Sequence, residues 1–115
     1  MGTVVFTAAI TVLATVPAHA ASYTAHPHHM NKGKAVYNSA NNTLKVCDTA
    51  SDGLSVMATI EDDYNFFGYN MNSGKGCKTY KPRLREGERF TLQVFNGKRG
   101  RAVSSSYGTM VYGIA

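Results

Sequence analysis

The chain has 115 residues, and its 12 Lys and Arg residues outnumber its 7 Asp and Glu residues, which gives a formal net charge of +5. This length predicts a single domain. A chain this short buries only about 60–65% of its unfolded surface on folding, so a covalent cross-link would help to stabilise it.

The first 20 residues have the pattern of a secretory signal peptide. Residues 4–16 are almost all apolar or Thr, and this run is too short for a bilayer, which needs about 20 apolar residues. Pro17 ends the run, and the Ala-His-Ala sequence at 18–20 is a small-x-small cleavage site. We therefore predict a secreted protein that begins at Ala21 and has no membrane span. An N-terminal core helix is the alternative, and no Lys or Arg precedes the run.

The two cysteines, Cys47 and Cys77, are predicted to form a disulfide because secreted proteins fold in an oxidising compartment. The bond would close a loop of about 30 residues, worth roughly 3.6 kcal/mol on the loop-entropy model. A metal pair or a nucleophilic cysteine is the alternative, but the histidines of the mature chain lie far upstream. In a regular strand Cys47 shares the face of Lys45, so we expect the bond near a strand end or on an outer surface.

Residues 21–34 are polar, lack an apolar period and contain Pro27, which indicates a flexible arm ahead of the folded domain. Besides a solvated tail, two roles are open for this arm. Its histidines suit weak Cu or Ni binding, although the N-terminal copper motif needs His where Tyr23 stands, and we assign no metal. Alternatively, the arm docks into a partner as an extended segment. The candidate residues are Tyr23, His26, His28 and His29.

Residues 35–115 are predicted to form an all-β domain, a small antiparallel β-sandwich of six to seven short strands. The clearest strand is 90–97, where Phe90, Leu92 and Val94 alternate with Thr91, Gln93 and Phe95. The Asn96-Gly97 pair predicts a tight reversal directly after it. The other predicted strands are 35–38, 43–48, 54–60, 77–80 and 104–112, with the aromatic segment 64–69 between them.

The segment 48–53 is predicted to be a turn. Asp48, Asp52 and Gly53 suggest a calcium loop, but the Asp-x-Asp-x-Asp-Gly order with a distal Glu is absent. We expect the two carboxylates to hydrogen-bond their own turn backbone instead.

Basic residues concentrate between positions 78 and 101, where only Glu86 and Glu88 oppose them. Such a cluster creates a positive field that attracts anions, and we predict an acidic protein partner first, with an acidic glycan or teichoic acid behind it. Nucleic acid is not predicted, because exposed aromatics do not alternate with these charges. A merely solubilising surface is the alternative. The cluster comprises Lys78, Lys81, Arg83, Arg85, Arg89, Lys98, Arg99 and Arg101.

Four aromatic residues fall within six positions: Tyr64, Phe66, Phe67 and Tyr69. On a strand they alternate between two faces, so either Tyr64 with Phe66 or Phe67 with Tyr69 should point outward. Outward aromatics mark protein interfaces or platforms for sugars. The alternative is that both faces are covered.

The sequence does not predict an enzyme or a cofactor. A Ser–His–Asp set would need the histidines of the arm, and the carboxylates all lie in turn-like sequence. A mature chain of this length also leaves little room for a concave active site.

Several short motifs resemble the small secreted β-sandwich proteins of Streptomyces and related actinobacteria. They are residues 42–49, Asp52-Gly53 before an alternating strand, the Gly76-Cys77 pair, and Leu84-x-Glu86-Gly87 before a second alternating strand, and together they cover roughly residues 35–96. Many of those proteins carry a second cysteine pair, which this chain lacks. Some small proteins of this kind serve as adaptor subunits in the secreted polymorphic-toxin particles called umbrella toxins. That resemblance implies an N-terminal extension that inserts into a lectin subunit and a sandwich that holds the stalk.

Three functions remain open from the sequence. The first is a secreted, non-enzymatic adaptor that joins extracellular proteins through its arm and basic face. The second is a small secreted inhibitor or antimicrobial protein, and the third is a glycan-binding module that uses the aromatics at 64–69.

Overall fold

A computed structural model describes Gly2 and residues 21–71 and 74–115. The predicted signal peptide, residues 1–20, therefore lies outside the described residues apart from Gly2. No helix within the described ranges is long and apolar enough to cross a membrane.

The described chain forms two antiparallel sheets. In chain order its strands are β1 Ser22–Ala25, β2 Lys34–Asn38, β3 Thr43–Asp48, β4 Ser55–Glu61, β5 Phe66–Met71, β6 Gly76–Tyr80, β7 Arg89–Lys98, β8 Arg101–Ala102 and β9 Val111–Ile114. The first sheet has the order β1-β2-β3-β6, and the second has the order β5-β4-β7-β8, with β9 pairing with the first half of β7. Two 3-10 helices, Met30–Lys32 and Ser104–Ser106, complete the elements. The predicted all-β sandwich is thus confirmed.

The core lies between the two sheets and follows the predicted alternation. Phe90, Leu92 and Val94 of β7 are almost fully buried and join one apolar cluster with residues of both sheets. The rings of Tyr37 and Phe90 meet edge to face, with their centroids 4.8 Å apart. Because inward and outward positions alternate along the first half of β7, the second sheet there keeps one face for the core and one for solvent. In the second half of β7 both faces are covered, since the outward Phe95 is buried and stacks on Tyr107 with ring centroids 4.5 Å apart.

Strand β7 is longer than predicted, and the reversal expected at Asn96-Gly97 is wrong. The strand continues to Lys98, and the chain turns at Arg99 and Gly100, whose φ angles are +53° and +78°. Asn96 is held in the strand because its side-chain amide donates to the carbonyls of Lys32 and Ser55, at 3.2 Å each. These tertiary hydrogen bonds override the local turn preference of the Asn-Gly pair.

The predicted closing strand at 104–112 is only partly correct. Residues 104–106 form a 3-10 helix, and β9 begins at Val111. Ser106 is buried, and its hydroxyl donates to Asn96 O and accepts the Asn96 N–H at 2.8 Å. Ser106 therefore serves as a local anchor for β7 rather than as a strand residue.

The predicted flexible arm is instead part of the sandwich, which corrects that expectation. Strand β1 pairs with β2 through four residues, from Ser22 opposite Asn38 to Ala25 opposite Ala35. Ala25 is buried, and the Tyr23 ring packs edge to face on Phe90 with centroids 5.1 Å apart. The segment looked polar because an edge strand of four residues turns only Tyr23 and Ala25 inward.

The disulfide between Cys47 and Cys77 is present, as predicted. The two residues are directly opposed in the β3–β6 register, and Lys34 of β2 opposes Cys47 from the other side. Directly opposed residues share a face, so the bond lies on the solvent side of the first sheet near the end of β3. It ties the edge strand β6 to its neighbour.

The two carboxylates of the 48–53 turn cap their own backbone, as expected. Asp48 Oδ1 accepts the Ala50 N–H at 3.1 Å, and Asp52 Oδ1 accepts the Leu54 N–H at 3.0 Å. Asp48 Oδ2 also accepts the Gly74 N–H at 3.2 Å. The first two bonds are typical Asx turns, and the third links the turn to the chain that precedes β6.

Replacing both cysteines by alanine should lower the free energy of unfolding by about 3.6 kcal/mol, because the unfolded chain regains the entropy of a loop that spans a sequence separation of 30 residues. Urea unfolding followed by circular dichroism measures the change. Reduction of the unmodified protein should shift the unfolding midpoint in the same direction. An unchanged midpoint in both experiments would contradict a stabilising role.

Tyr23→Ala should destabilise the protein by about 2 kcal/mol, because it removes a half-buried ring from Phe90. It also removes the hydroxyl that accepts the Ile114 N–H at 3.3 Å. Tyr112→Ala is the matched control: Tyr112 is 72% exposed, so we expect a change within about 0.5 kcal/mol. If the Tyr23→Ala variant were as stable as the unmodified protein, the result would contradict the packing of Tyr23 in the core and would support a flexible arm at residues 21–34.

Candidate functional site

A row of four side chains crosses the outer face of the second sheet. Phe66 opposes Glu61, Glu61 opposes Thr91, and Thr91 opposes Tyr112. Because directly opposed residues point to the same side, all four side chains leave the sheet away from the core. The row spans three inter-strand spacings, or about 14 Å. It therefore forms a continuous strip across β5, β4, β7 and β9, which we call the outer row.

The outer row has aromatic ends and a polar centre. Phe66 is 64% exposed and Tyr112 is 72% exposed. Between them the Thr91 hydroxyl donates to Glu61 Oε1 at 3.4 Å. Large aromatics exposed to this degree on an otherwise well-packed sheet are typical of contact surfaces.

A groove of about 610 Å³ lies beside the outer row. Its lining includes the carboxylates of Glu61 and Asp63 and the guanidinium of Arg89. The groove therefore presents both negative and positive charge, which suits a partner whose surface also carries charges of both signs. Its lining residues are Glu61, Asp62, Asp63, Arg89, Phe90, Thr91, Tyr112, Gly113 and Ile114.

Asp62 organises the loop at the end of β4. Its Oδ1 accepts the backbone N–H groups of Tyr64 at 2.8 Å and Asn65 at 2.6 Å, and its Oδ2 accepts the Arg85 N–H at 3.0 Å. Burial acts to raise the pKa of this carboxyl, but the three N–H donors and the Asn65 side chain together lower the pKa below its usual 3.8. The charged carboxylate thus joins the β4–β5 loop to the segment before β7.

Tyr64 is exposed, but a cation already lies against one face of its ring. The guanidinium carbon of Arg85 lies 3.6 Å from the centre of its ring, which is a close cation–π contact. Because the carboxylate of Asp62 accepts the backbone N–H groups of both residues, the stacked pair of Tyr64 and Arg85 is held in place at the end of β4.

The structure separates the four predicted interface aromatics into two groups. Tyr64 and Phe66 are exposed, whereas Phe67 and Tyr69 pack against the core. The ring centroids of Tyr69 and Tyr80 lie 4.4 Å apart, and burial, followed by repulsion between two ionised phenols at this site, raises the pKa of Tyr69. One of the two expected outward pairs is therefore present, and the other closes the side of the sandwich.

The predicted basic residues do not form one face. Asn65 Nδ2 lies 3.4 Å from Arg83 O, and Asp62 holds the Arg85 backbone, so both basic residues lie near the start of β7 with Arg89. Arg89 and Lys98 begin and end this ten-residue strand, which separates them by about 30 Å. The basic residues therefore form two groups at opposite ends of β7, and not the single basic face that the sequence predicted. Arg99 and Arg101 belong to the second group, Lys81 follows β6 on the connection to β7, and Lys78 lies on β6.

The predicted partner-binding residues of the N-terminal segment are largely engaged within the fold. Tyr23 packs on Phe90, and His26 Nδ1 lies 3.2 Å from the Gly33 carbonyl oxygen. The His28 and His29 rings are exposed, with centroids 5.0 Å apart. Among residues 21–71 and 74–115, no three His, Cys, Asp or Glu side chains are grouped so as to hold a metal.

Sequence reasoning missed Tyr112, Glu61 and Arg89 as members of one surface. Their positions along the chain are far apart, and only the strand register brings them together. One local signal was present: Tyr112 alternates with Val111 and Gly113, which places it outward on a short edge strand.

Asp62→Asn should lower the free energy of unfolding by about 1–3 kcal/mol, because an amide nitrogen would face a backbone N–H that now meets a carboxylate. The pKa of Asp62 is lower in the folded than in the unfolded protein, so its contribution is full above pH 3.8 and declines as the pH falls through the folded pKa. Urea unfolding at several pH values measures both effects. Asp63→Asn, at an exposed neighbour, should change little; equal effects would contradict this role.

Comparison with known proteins found no matching protein-family model, no matching curated protein and no matching solved structure. The likeness to actinobacterial secreted proteins therefore remains an expectation from short motifs.

Proposed function

We propose that this chain is a secreted, non-enzymatic binding module that holds another extracellular protein against the outer row. The observation that carries the proposal is the pairing of Phe66 and Tyr112, exposed by 64% and 72%, at the two ends of one cross-strand row. Binding energy at protein interfaces is concentrated in a few aromatic and Arg side chains, which matches the composition of this face.

Rigid support favours binding at this face. β4 and β7 are central strands that pair over seven residues, and they carry the middle of the row. Asp62 fixes the adjacent loop through three backbone hydrogen bonds. A surface that is ordered before binding loses less entropy when a partner docks.

The carboxylates near the outer row support a binding role rather than catalysis. Asp62 is used as a loop cap, and Glu61 accepts a hydrogen bond from Thr91. Extracellular location is part of the proposal, and the disulfide and the predicted signal peptide support it.

An adaptor role within a toxin particle stays a proposal that follows from the resemblance. In that layout a free N-terminal extension inserts into another subunit. Strand β1 holds residues 22–25 within the first sheet, so we base partner binding on the outer row instead. The mixed charges of the groove suit a partner with both acidic and basic groups, rather than the strongly acidic partner expected from composition.

Glycan binding is the second candidate, and the groove favours it. Tyr112 stands beside Glu61, Asp63 and Arg89, and an aromatic face with polar groups next to it is suited to stacking and hydrogen bonding a sugar. Retention of the purified protein on an insoluble polysaccharide at high salt would favour this candidate, because stacking is screened far less than ion pairs.

Phe66→Ala combined with Tyr112→Ala should abolish partner binding. The tagged protein is used to capture its partner from culture medium, the partner is identified by mass spectrometry, and the dissociation constant is measured with both purified proteins. Removal of two hot-spot aromatics should weaken binding by about 4 kcal/mol or more, close to a thousandfold. Both residues are mainly exposed, so the fold should remain intact.

Met30→Ala is the matched control, because Met30 is 66% exposed but lies in the segment between β1 and β2. It should leave the dissociation constant unchanged. Full affinity in the double variant, or equal losses in the double variant and the control, would contradict binding through the outer row.

A further inference from the structure

The β7–β8 hairpin ends in a turn that combines three cations with two unfavourable features. Lys98, Arg99, Gly100 and Arg101 are all exposed, and we call these four residues the basic turn. Lys98 and Arg101 are directly opposed in the register, and like charges in that position destabilise a sheet. Arg99 adopts φ +53°, a left-handed conformation that favours Gly, Asn or Asp.

The hairpin persists in spite of these features because its base is firmly held. Asn96 O accepts the Val103 N–H at 2.9 Å and the Ser106 hydroxyl at 3.1 Å. Gly97 packs so tightly that an added Cβ would lie 2.6 Å from Ser55 Oγ. Local conformations that violate sequence preferences, when the surroundings enforce them, are found mainly at functional sites.

An anion placed between the opposed cations would remove the unfavourable repulsion. Lys98 and Arg101 side chains leave the same face of a two-stranded ribbon, and Arg99 projects from its end. Arg and Lys bind phosphate groups through charge-assisted hydrogen bonds. One anionic group can meet the opposed Lys98 and Arg101, and a further group is needed to reach Arg99 at the end of the ribbon.

We propose that the basic turn binds a flexible linear polymer that carries phosphate groups. A flexible chain can wrap the convex tip and reach all three cations, whereas a flat lipid surface meets mainly the outermost residues. The turn has no apolar side chain to form the core of a protein interface. It also has no aromatic side chain on which nucleobases could stack. This site is separate from the outer row and does not depend on the function proposed there.

The test compares two triple variants that have the same net charge. The first is Lys98→Gln, Arg99→Asn and Arg101→Gln. The second, the matched control, is Lys45→Gln, Lys81→Gln and Arg83→Gln, three exposed residues away from the turn. Isothermal titration calorimetry with long-chain inorganic polyphosphate measures the affinity of the complete protein and both variants at several salt concentrations.

We expect the first variant to bind about 100-fold more weakly, because it loses three charge-assisted contacts. The control should lose less than about threefold, since its cations lie on other segments of the chain and their removal lowers only the overall positive field. Affinity of the unmodified protein should fall about 20-fold between 50 and 200 mM salt, as counterion release at three phosphates requires. Its salt dependence should be much weaker in the first variant.

The first variant should also be at least as stable in urea as the unmodified protein, because Asn tolerates positive φ and the opposed charges are gone. Unfolding therefore cannot explain its loss of binding. Equal losses in both variants would overturn the proposal in favour of the overall positive field. A tenfold preference for a single-stranded oligonucleotide, or turn-dependent binding to anionic vesicles but not to polyphosphate, would also overturn it.

Discussion

The regular alternation of side chains along β7 is the constraint on which the rest of the structure depends. Phe90, Leu92 and Val94 enter the core, so Thr91 and Gln93 must face the opposite way. β7 pairs with β4 along most of its length and with β9 over its first half. Its register therefore fixes the outward positions of both neighbours. The outer row is a direct consequence of how the inner face is packed.

The same constraint explains why the two ends of the sandwich differ. At the start of β7, aromatics, carboxylates and Arg89 surround a groove. At its end, Asn96 and Ser106 hold a hairpin with three cations at its tip. One long strand thus separates a surface suited to a folded partner from a tip suited to a polyanion. The two proposals can fail independently because different residues carry them.

Local patterns predicted much of the fold. Strict alternation identified β3, β4 and β7, and the two turn aspartates and the disulfide were anticipated. Prediction failed where tertiary contacts override local preference. The sequence predicts a turn at Asn96, but its side-chain amide hydrogen-bonds to carbonyls of two other segments and keeps it in the strand. The sequence of β1 resembles a polar tail because only Tyr23 and Ala25 of its four residues point inward.

The candidate site was less predictable than the fold. Alternation predicted that one aromatic pair of 64–69 points outward but not which one, and the alignment of Phe66 with Tyr112 depends on three successive strand pairings that no local pattern encodes. The basic residues illustrate the opposite error. They are close in sequence, yet β7 carries them to opposite ends, because an extended strand adds about 3.3 Å per residue.

The central claim is that the segment before β2 is part of the sandwich, so that partners bind at the outer row and at the basic turn rather than at a free N-terminal arm. Residue-resolved amide hydrogen exchange of the purified protein tests this most directly. The account predicts protection of the β1 amides that bond to β2, together with the strongest protection in β7. Exchange of residues 21–34 at the rate of an unfolded chain, with the remaining strands protected, would contradict it.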